Sequence, residues 1–219
     1  MKTYPLHRLH LYAFLDPAGG KKTALKKVRA NSAIIVIGVE PTALQRIFVV
    51  DAWRGRDSAP QLIQRVLDTN ERWQPRQFGC EANAMQSLFT ELVEHEAIRQ
   101  EKHLPLVPIY QPTKIDKEWR VRDAVQPVVG HGRLFIQQSQ VELISEITSF
   151  PLGEYRDMID ALASAIAMVP LQAPAVQQDA EREALARYLR RIGSTPTEIE
   201  SRLAAFDAAR ADTADSRPA

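Results

Sequence analysis

Three β-prone segments follow one another with no amphipathic helix pattern between them, and this restricts the fold more than any other feature of the chain. They are Leu9 to Asp16 (LHLYAFLD), Ser32 to Val39 (SAIIVIGV) and Leu44 to Trp53 (LQRIFVVDAW). Strands joined by connections too short for a helical crossover pair antiparallel, so these segments predict a three-strand meander. Its first strand closes on an aspartate, Asp16, immediately before the turn cluster Pro17-Ala18-Gly19-Gly20.

Beyond Trp53 the pattern changes to alternation. From Ser58 to Trp73 the apolar positions Leu62, Ile63, Val66 and Leu67 have the spacing of an amphipathic helix, with Ser58 as its cap and Pro60 in its first turn. There follow a short strand at Gln77 to Glu81, a helix from Ala84 to Lys102, a strand at Leu106 to Tyr110 and a helix from Ile115 to Val129 stopped by Gly130 and Gly132. Leu134 to Ile136 reads as a last strand, and helices are expected at Gln140 to Ser149 and Tyr155 to Val169. A meander followed by β-α alternation makes an α/β protein. Its mixed sheet combines the antiparallel three-strand meander with parallel strands and is flanked by helices on both faces.

The same reading divides the chain into a core domain over residues 1–169, a linker over 170–178 carrying Pro170, Pro174 and Gln177-Gln178, and a helical tail over 179–219 broken at Gly193-Ser194-Thr195-Pro196. With 45% hydrophobic and 25% charged residues the chain can bury a real core, which excludes wholesale disorder. No run of about 18 apolar residues occurs and Met1 to His10 has no apolar targeting core, so the expectation is a cytoplasmic protein without a membrane partner. The single cysteine, Cys80, excludes an intramolecular disulfide and any site built from several thiolates; it reads as a buried small hydrophobe. Lys plus Arg number 28 against 27 Asp plus Glu, so only local clustering of charge can inform about partners.

The informative cluster is a set of acids: Asp16 ending the first strand, Glu81 ending the fourth, and Asp157 with Asp160 on the last core helix. The carboxyl ends of parallel strands converge on one edge of such a sheet, where oxygen ligands can hold hard cations. Two divalent ions about 3.5–4 Å apart stabilise both the attacking and leaving oxygens of a phosphodiester during hydrolysis. Asp16, Glu81 and Asp160 end or interrupt apolar elements, where charge is rare unless paired or metal-bound. Asp157 and Asp160 stand about 60° apart around the helix and about 4.5 Å along it, within reach of a shared metal. The free amides of the first turn favour Asp157 as the direct ligand, with Asp160 behind it or paired with a basic group.

Five pieces of the chain, AFLDPAGG at 13–20, FVVDAWRG at 48–55, FGCEANA at 78–84, KEWRVRDAVQPVVGHGRLFI at 117–136 and EITSFPLGEYRDMIDALASA at 146–165, together resemble the nuclease domain of the large terminase subunit of tailed bacteriophages. The resemblance implies an RNase H-like fold and an endonuclease that cuts concatemeric double-stranded viral DNA during genome packaging. It implies two Mg²⁺ or Mn²⁺ ions held by Asp16, Glu81 and Asp157, with Asp160 one turn on. The partners it implies are double-stranded DNA, a packaging ATPase motor, a small terminase subunit and a portal, in the host cytoplasm. Two departures stand out. Arg156 takes the place of the first of two adjacent acids that the family often carries on this helix, and Gly19-Gly20-Lys21-Lys22-Thr23 lacks the spacing of a phosphate-binding G-x-x-x-x-G-K-[ST] loop. The motor is therefore expected elsewhere.

Basic residues suit a nucleic-acid partner. Lys21, Lys22, Lys26, Lys27 and Arg29 follow Asp16 directly, and Lys114, Lys117, Arg120 and Arg122 fall on or just before one helix, where they can grip phosphates without reading sequence. The i, i+4 spacing equally allows Arg120 to pair with Asp116 and Arg122 with Glu118. Trp53, Trp73 and Trp119 read as packing anchors. Two other readings remain beside the leading one: another RNase H-like nuclease such as a Holliday-junction resolvase, and a non-catalytic DNA-clamping or docking domain whose acids are structural.

Overall fold

The computed structural model describes residues 5–18, 31–42, 44–82, 87–110, 116–170, 185–186, 189–190 and 195–215. The basic segment from Lys21 to Arg29, and Lys114, lie outside the described residues. The chain forms two compact units, residues 1–170 and 171–219. In the second, Thr195 and Glu198 form a reciprocal cap, Thr195 N donating to Glu198 Oε2 at 2.8 Å and Glu198 N to Thr195 Oγ1 at 3.4 Å. This cap opens the helix Pro196–Asp215.

The first unit holds a six-stranded sheet in the order β5-β4-β1-β2-β3-β6. Its strands are β1 (His10–Asp16), β2 (Ser32–Val39), β3 (Ile47–Gly55), β4 (Gln77–Glu81), β5 (Leu106–Ile109) and β6 (Leu134–Ile136). The meander pairs antiparallel, β1 with β2 and β2 with β3. The remaining pairs, β1 with β4, β4 with β5 and β3 with β6, are parallel. The helices are α1 (Ala59–Trp73), α2 (Ser87–Arg99), α3 (Lys117–Gly130), α4 (Val141–Ser149) and α5 (Asp157–Ala167). At the start of α1, Ser58 N donates to Gln61 Oε1 at 3.0 Å, which fixes the helix where the Ser58 signal places it.

Strand periodicity sorts the core into two faces. Tyr12, Phe14, Ile35, Ile37 and Val49 point to one side and pack with Leu143 of α4 and with Met158, Ala161, Leu162 and Ala165 of α5. Ala13, Leu15, Ile34, Val36, Phe78 and Cys80 point to the other and meet Leu62 and Val66 of α1 and Val93 of α2. A strand buried on both faces has no polar side to show, which is why β2 reads SAIIVIGV and is buried throughout.

Gly79 shows how closely α5 is drawn against the sheet. A Cβ there would strike the Met168 sulfur and lie 2.7 Å from Phe14 Cδ2. Gly79→Ala is expected to cost about 1–3 kcal/mol, the usual range for overpacking. Urea denaturation should show part of that loss recovered in a Gly79→Ala, Met168→Ala double variant, because the flexible thioether can be removed and the buried ring cannot move.

Candidate active site

The two strand-end acids meet through pairing and periodicity. Leu15 is paired with Cys80 across the parallel β1/β4 ladder, so the next residues, Asp16 and Glu81, end adjacent strands at the same edge. Asp16 lies two residues past Phe14 and Glu81 two past Gly79, so both side chains project to the face covered by α5. Their carboxyls come within hydrogen-bonding reach of each other. Asp160, buried in the first turn of α5, completes the group.

A lysine stands among these acids. Lys117 is the first residue of α3, and its Nζ lies 2.6 Å from Asp160 Oδ2 and 3.9 Å from Asp16 Oδ2. Burial pushes the Asp16 carboxyl well above the usual carboxylate range, with Glu81 and Asp160 adding to the rise and the Lys117 charge opposing it. Burial also raises Asp160, again against Lys117. Burial works against the Lys117 charge, but the surrounding carboxylates outweigh it and raise the ammonium above its ordinary value. Beside the cluster, between α3 and α5, is a cavity of about 240 Å³ lined by Glu81, Lys117, Arg120, Asp160, Ser164 and Ala167.

Asp157 has a different setting. Its Oδ2 accepts a 3.0 Å bond from Asn31 Nδ2, and Arg56 Nε donates to Asn31 Oδ1 at 2.9 Å. It neighbours Asp160 closely enough to raise that carboxyl. The start of α5 is not open either. Glu146 of α4 accepts bonds from the amides of Met158 at 2.9 Å and Ile159 at 3.0 Å, which satisfies two of the free N–H groups of the first turn. Burial raises the Glu146 carboxyl, while these two amides and Arg54 of β3 oppose the rise. Arg54 pairs with Glu146 and lies 4.3 Å over the Tyr155 ring. Neither Arg54 nor Glu146 stands out in the sequence. The one available signal is position, an acid three residues past Leu143 on the inner face of α4.

The remaining candidates spread out. Lys117 sits inside the acid cluster, Arg120 lines the cavity, and Arg122 is exposed. Glu118, which the helical spacing set opposite Arg122, pairs instead with Arg156 at 2.8 Å. Asp51 accepts from Trp73 Nε1 at 2.8 Å and from the Ala52 amide at 2.9 Å, which gives that acid a structural role in β3. Trp53 stacks under Arg65, whose Cζ is 4.0 Å from the ring centre. Trp119, in contrast to its expected role as a packing anchor, is 66% exposed, because α3 turns that side to solvent. Cys80 is buried and its thiol is pushed up to about 11, chiefly by burial, so it has no nucleophilic character.

No protein-family model and no curated protein matches the sequence. Among solved structures, the large terminase nuclease from the thermophilic phage G20c, with bound zinc, is 12% identical with a TM-score of 0.52, covering 74% of this chain and 82% of that one. The P22 large terminase nuclease domain is 10% identical with a TM-score of 0.51, covering 74% and 81%. The fold is RNase H-like. It is the fold of the nuclease domains of large terminase subunits, as the five sequence pieces imply. The Thermus thermophilus RuvC structure aligns with a TM-score of 0.42 at 15% identity, over 71% of this chain and 90% of that one. Among the described residues no helix is long and apolar enough to cross a membrane.

The donor set suits the hard divalent cations that the sequence resemblance implies. Asp16, Glu81 and Asp160 offer only oxygen, the ligand that Mg²⁺ and Mn²⁺ take, while the Cys80 sulfur belongs to the opposite face. Among the described residues no three such side chains close on one point as they stand. A cation, the Lys117 ammonium, already lies between two of them.

Proposed function

We propose that this protein is a metal-dependent endonuclease acting on double-stranded DNA, of the kind that cuts concatemers during viral genome packaging. The observation that carries the reading is the placement of Asp16 and Glu81 at the ends of the adjacent strands β1 and β4, with Asp160 joined to Asp16 through the Lys117 ammonium. Two divalent ions, Mg²⁺ or Mn²⁺, would supply charge for both the attacking and the leaving oxygen of the phosphodiester. Asp16, Glu81 and Asp160 would hold them. Asp157, fixed by Asn31 at the margin, would orient the outer side of the group. The fold shared with two terminase nucleases, one of them with bound zinc, supports the reading. So do Arg120, which lines the cavity beside the acids, and Arg122, exposed on α3, as cations able to meet phosphates; the resemblance of the five sequence pieces implies an ATPase motor as partner.

Supercoiled plasmid should be nicked in Mn²⁺ and left intact with chelator. Asp160→Ala should remove nearly all cleavage together with Mn²⁺ binding by calorimetry, while Asp157→Ala should retain measurable activity. The reverse ranking would return the inner role to Asp157. Intact plasmid under every divalent condition would leave the acids structural.

A further inference from the structure

Lys117 stands where a helix disfavours it. As the first residue of α3 it faces the partial positive charge of the helix start, which repels a second cation. Its ammonium is nevertheless held at 2.6 Å by Asp160 and at 3.9 Å by Asp16, with Glu81 adding to the attraction. The carboxylates therefore decide its position. The side chain is 55% exposed, so the ammonium can leave through rotation of a solvated stem. Such a rotation need not disturb Val121, Val125 and Val128, which anchor α3 in the core.

We propose that Lys117 is a resident counter-ion of the acid cluster: it holds Asp16 and Asp160 together in the metal-free protein and competes with the divalent cation for them. The inference rests on the metal-dependent reading above. It gives the lysine two effects of opposite sign, since an ammonium that relieves repulsion between carboxylates also occupies their lone pairs. A lysine that only grips DNA would change neither stability nor metal affinity. A lysine that only shapes the ligands would, when removed, lower both.

Calorimetric titration of the full chain with MnCl₂, together with thermal melting in EDTA, separates these cases for wild type, Lys117→Met and Lys117→Gln. Glutamine can still donate to Asp160, which guards against loss of the fold in the methionine variant. Both variants are expected to bind Mn²⁺ about tenfold more tightly, equivalent to about 1.4 kcal/mol. Both should melt a few degrees lower in EDTA. Unchanged or weaker Mn²⁺ binding by folded variants, beside a wild type that binds, would overturn the counter-ion role and leave the nuclease reading standing. A wild type that takes up no Mn²⁺ would overturn both.

Discussion

Replacing Asp16 with asparagine is expected to eliminate cleavage while making the metal-free protein more stable. The amide keeps the shape of the side chain but removes a charge that Glu81 and Asp160 both repel and that burial penalises. Cleavage should fall by at least about a hundredfold to a thousandfold, the range for loss of one preorganised electrostatic stabiliser. In EDTA at neutral pH the melting temperature should rise by about 2–4 °C for each kcal/mol of relieved penalty. The pH dependence gives a second signature. Because the folded protein binds the Asp16 proton more tightly than the unfolded chain does, this group contributes stability below the ordinary carboxylate range. That contribution is lost as pH rises through its elevated value. Asp16→Asn should therefore flatten the decline of stability above about pH 4. Melting curves across pH would decide it, and a variant less stable than wild type in EDTA would mean that the carboxylate is better paired than its neighbours suggest.

Glu146→Ala should produce the largest loss of stability. It leaves Arg54, 14% exposed at its side chain, without its closest buried partner, and it strips the cap from two amides of α5. Removing one member of a buried ion pair costs about 3–5 kcal/mol, or about 10 °C in a chain of this size. Because the cap fixes the first turn of α5, the same change should weaken Mn²⁺ binding at Asp160. Glu146→Gln keeps an oxygen for the amides and should lose less of both. A melting temperature within 2 °C of wild type for the alanine variant, a shift worth about 1 kcal/mol or less, would show that the network contributes little.

The strands were legible because burial on both faces requires unbroken apolar runs, and an acid closing such a run, as Asp16 and Glu81 do, stands out against it. The three-strand meander pairs antiparallel as expected. The short connection from β2 to β3 explains the second pair, whereas the fifteen residues between Asp16 and Ser32 do not by their length exclude a crossover. Strand β3 starts at Ile47 instead of Leu44 because the turn before it is held by side chains, with Arg46 bonded to Glu40 through two contacts of 2.7 Å. The relation between Asp157 and Asp160 was hidden for a similar reason. An argument from the first turn assumes free amides at the start of α5, and here a residue from another helix has taken two of them. Lys117 was legible as a cation but not as one enclosed by acids, since that placement depends on α3 packing beside α5.

The strand order also limits how other proteins can attach to this one. One outer strand of the described sheet, β5, carries Pro108 and so lacks a donor in the middle of its free edge. The other, β6, is three residues long and offers too short a ladder for a guest strand. Among the described residues, extending the sheet by a strand from a neighbour is therefore disfavoured at both ends, which guards against edge-to-edge aggregation. A partner of this sheet is therefore expected to engage helix faces or loops, with recognition depending on side chains rather than on backbone hydrogen bonding.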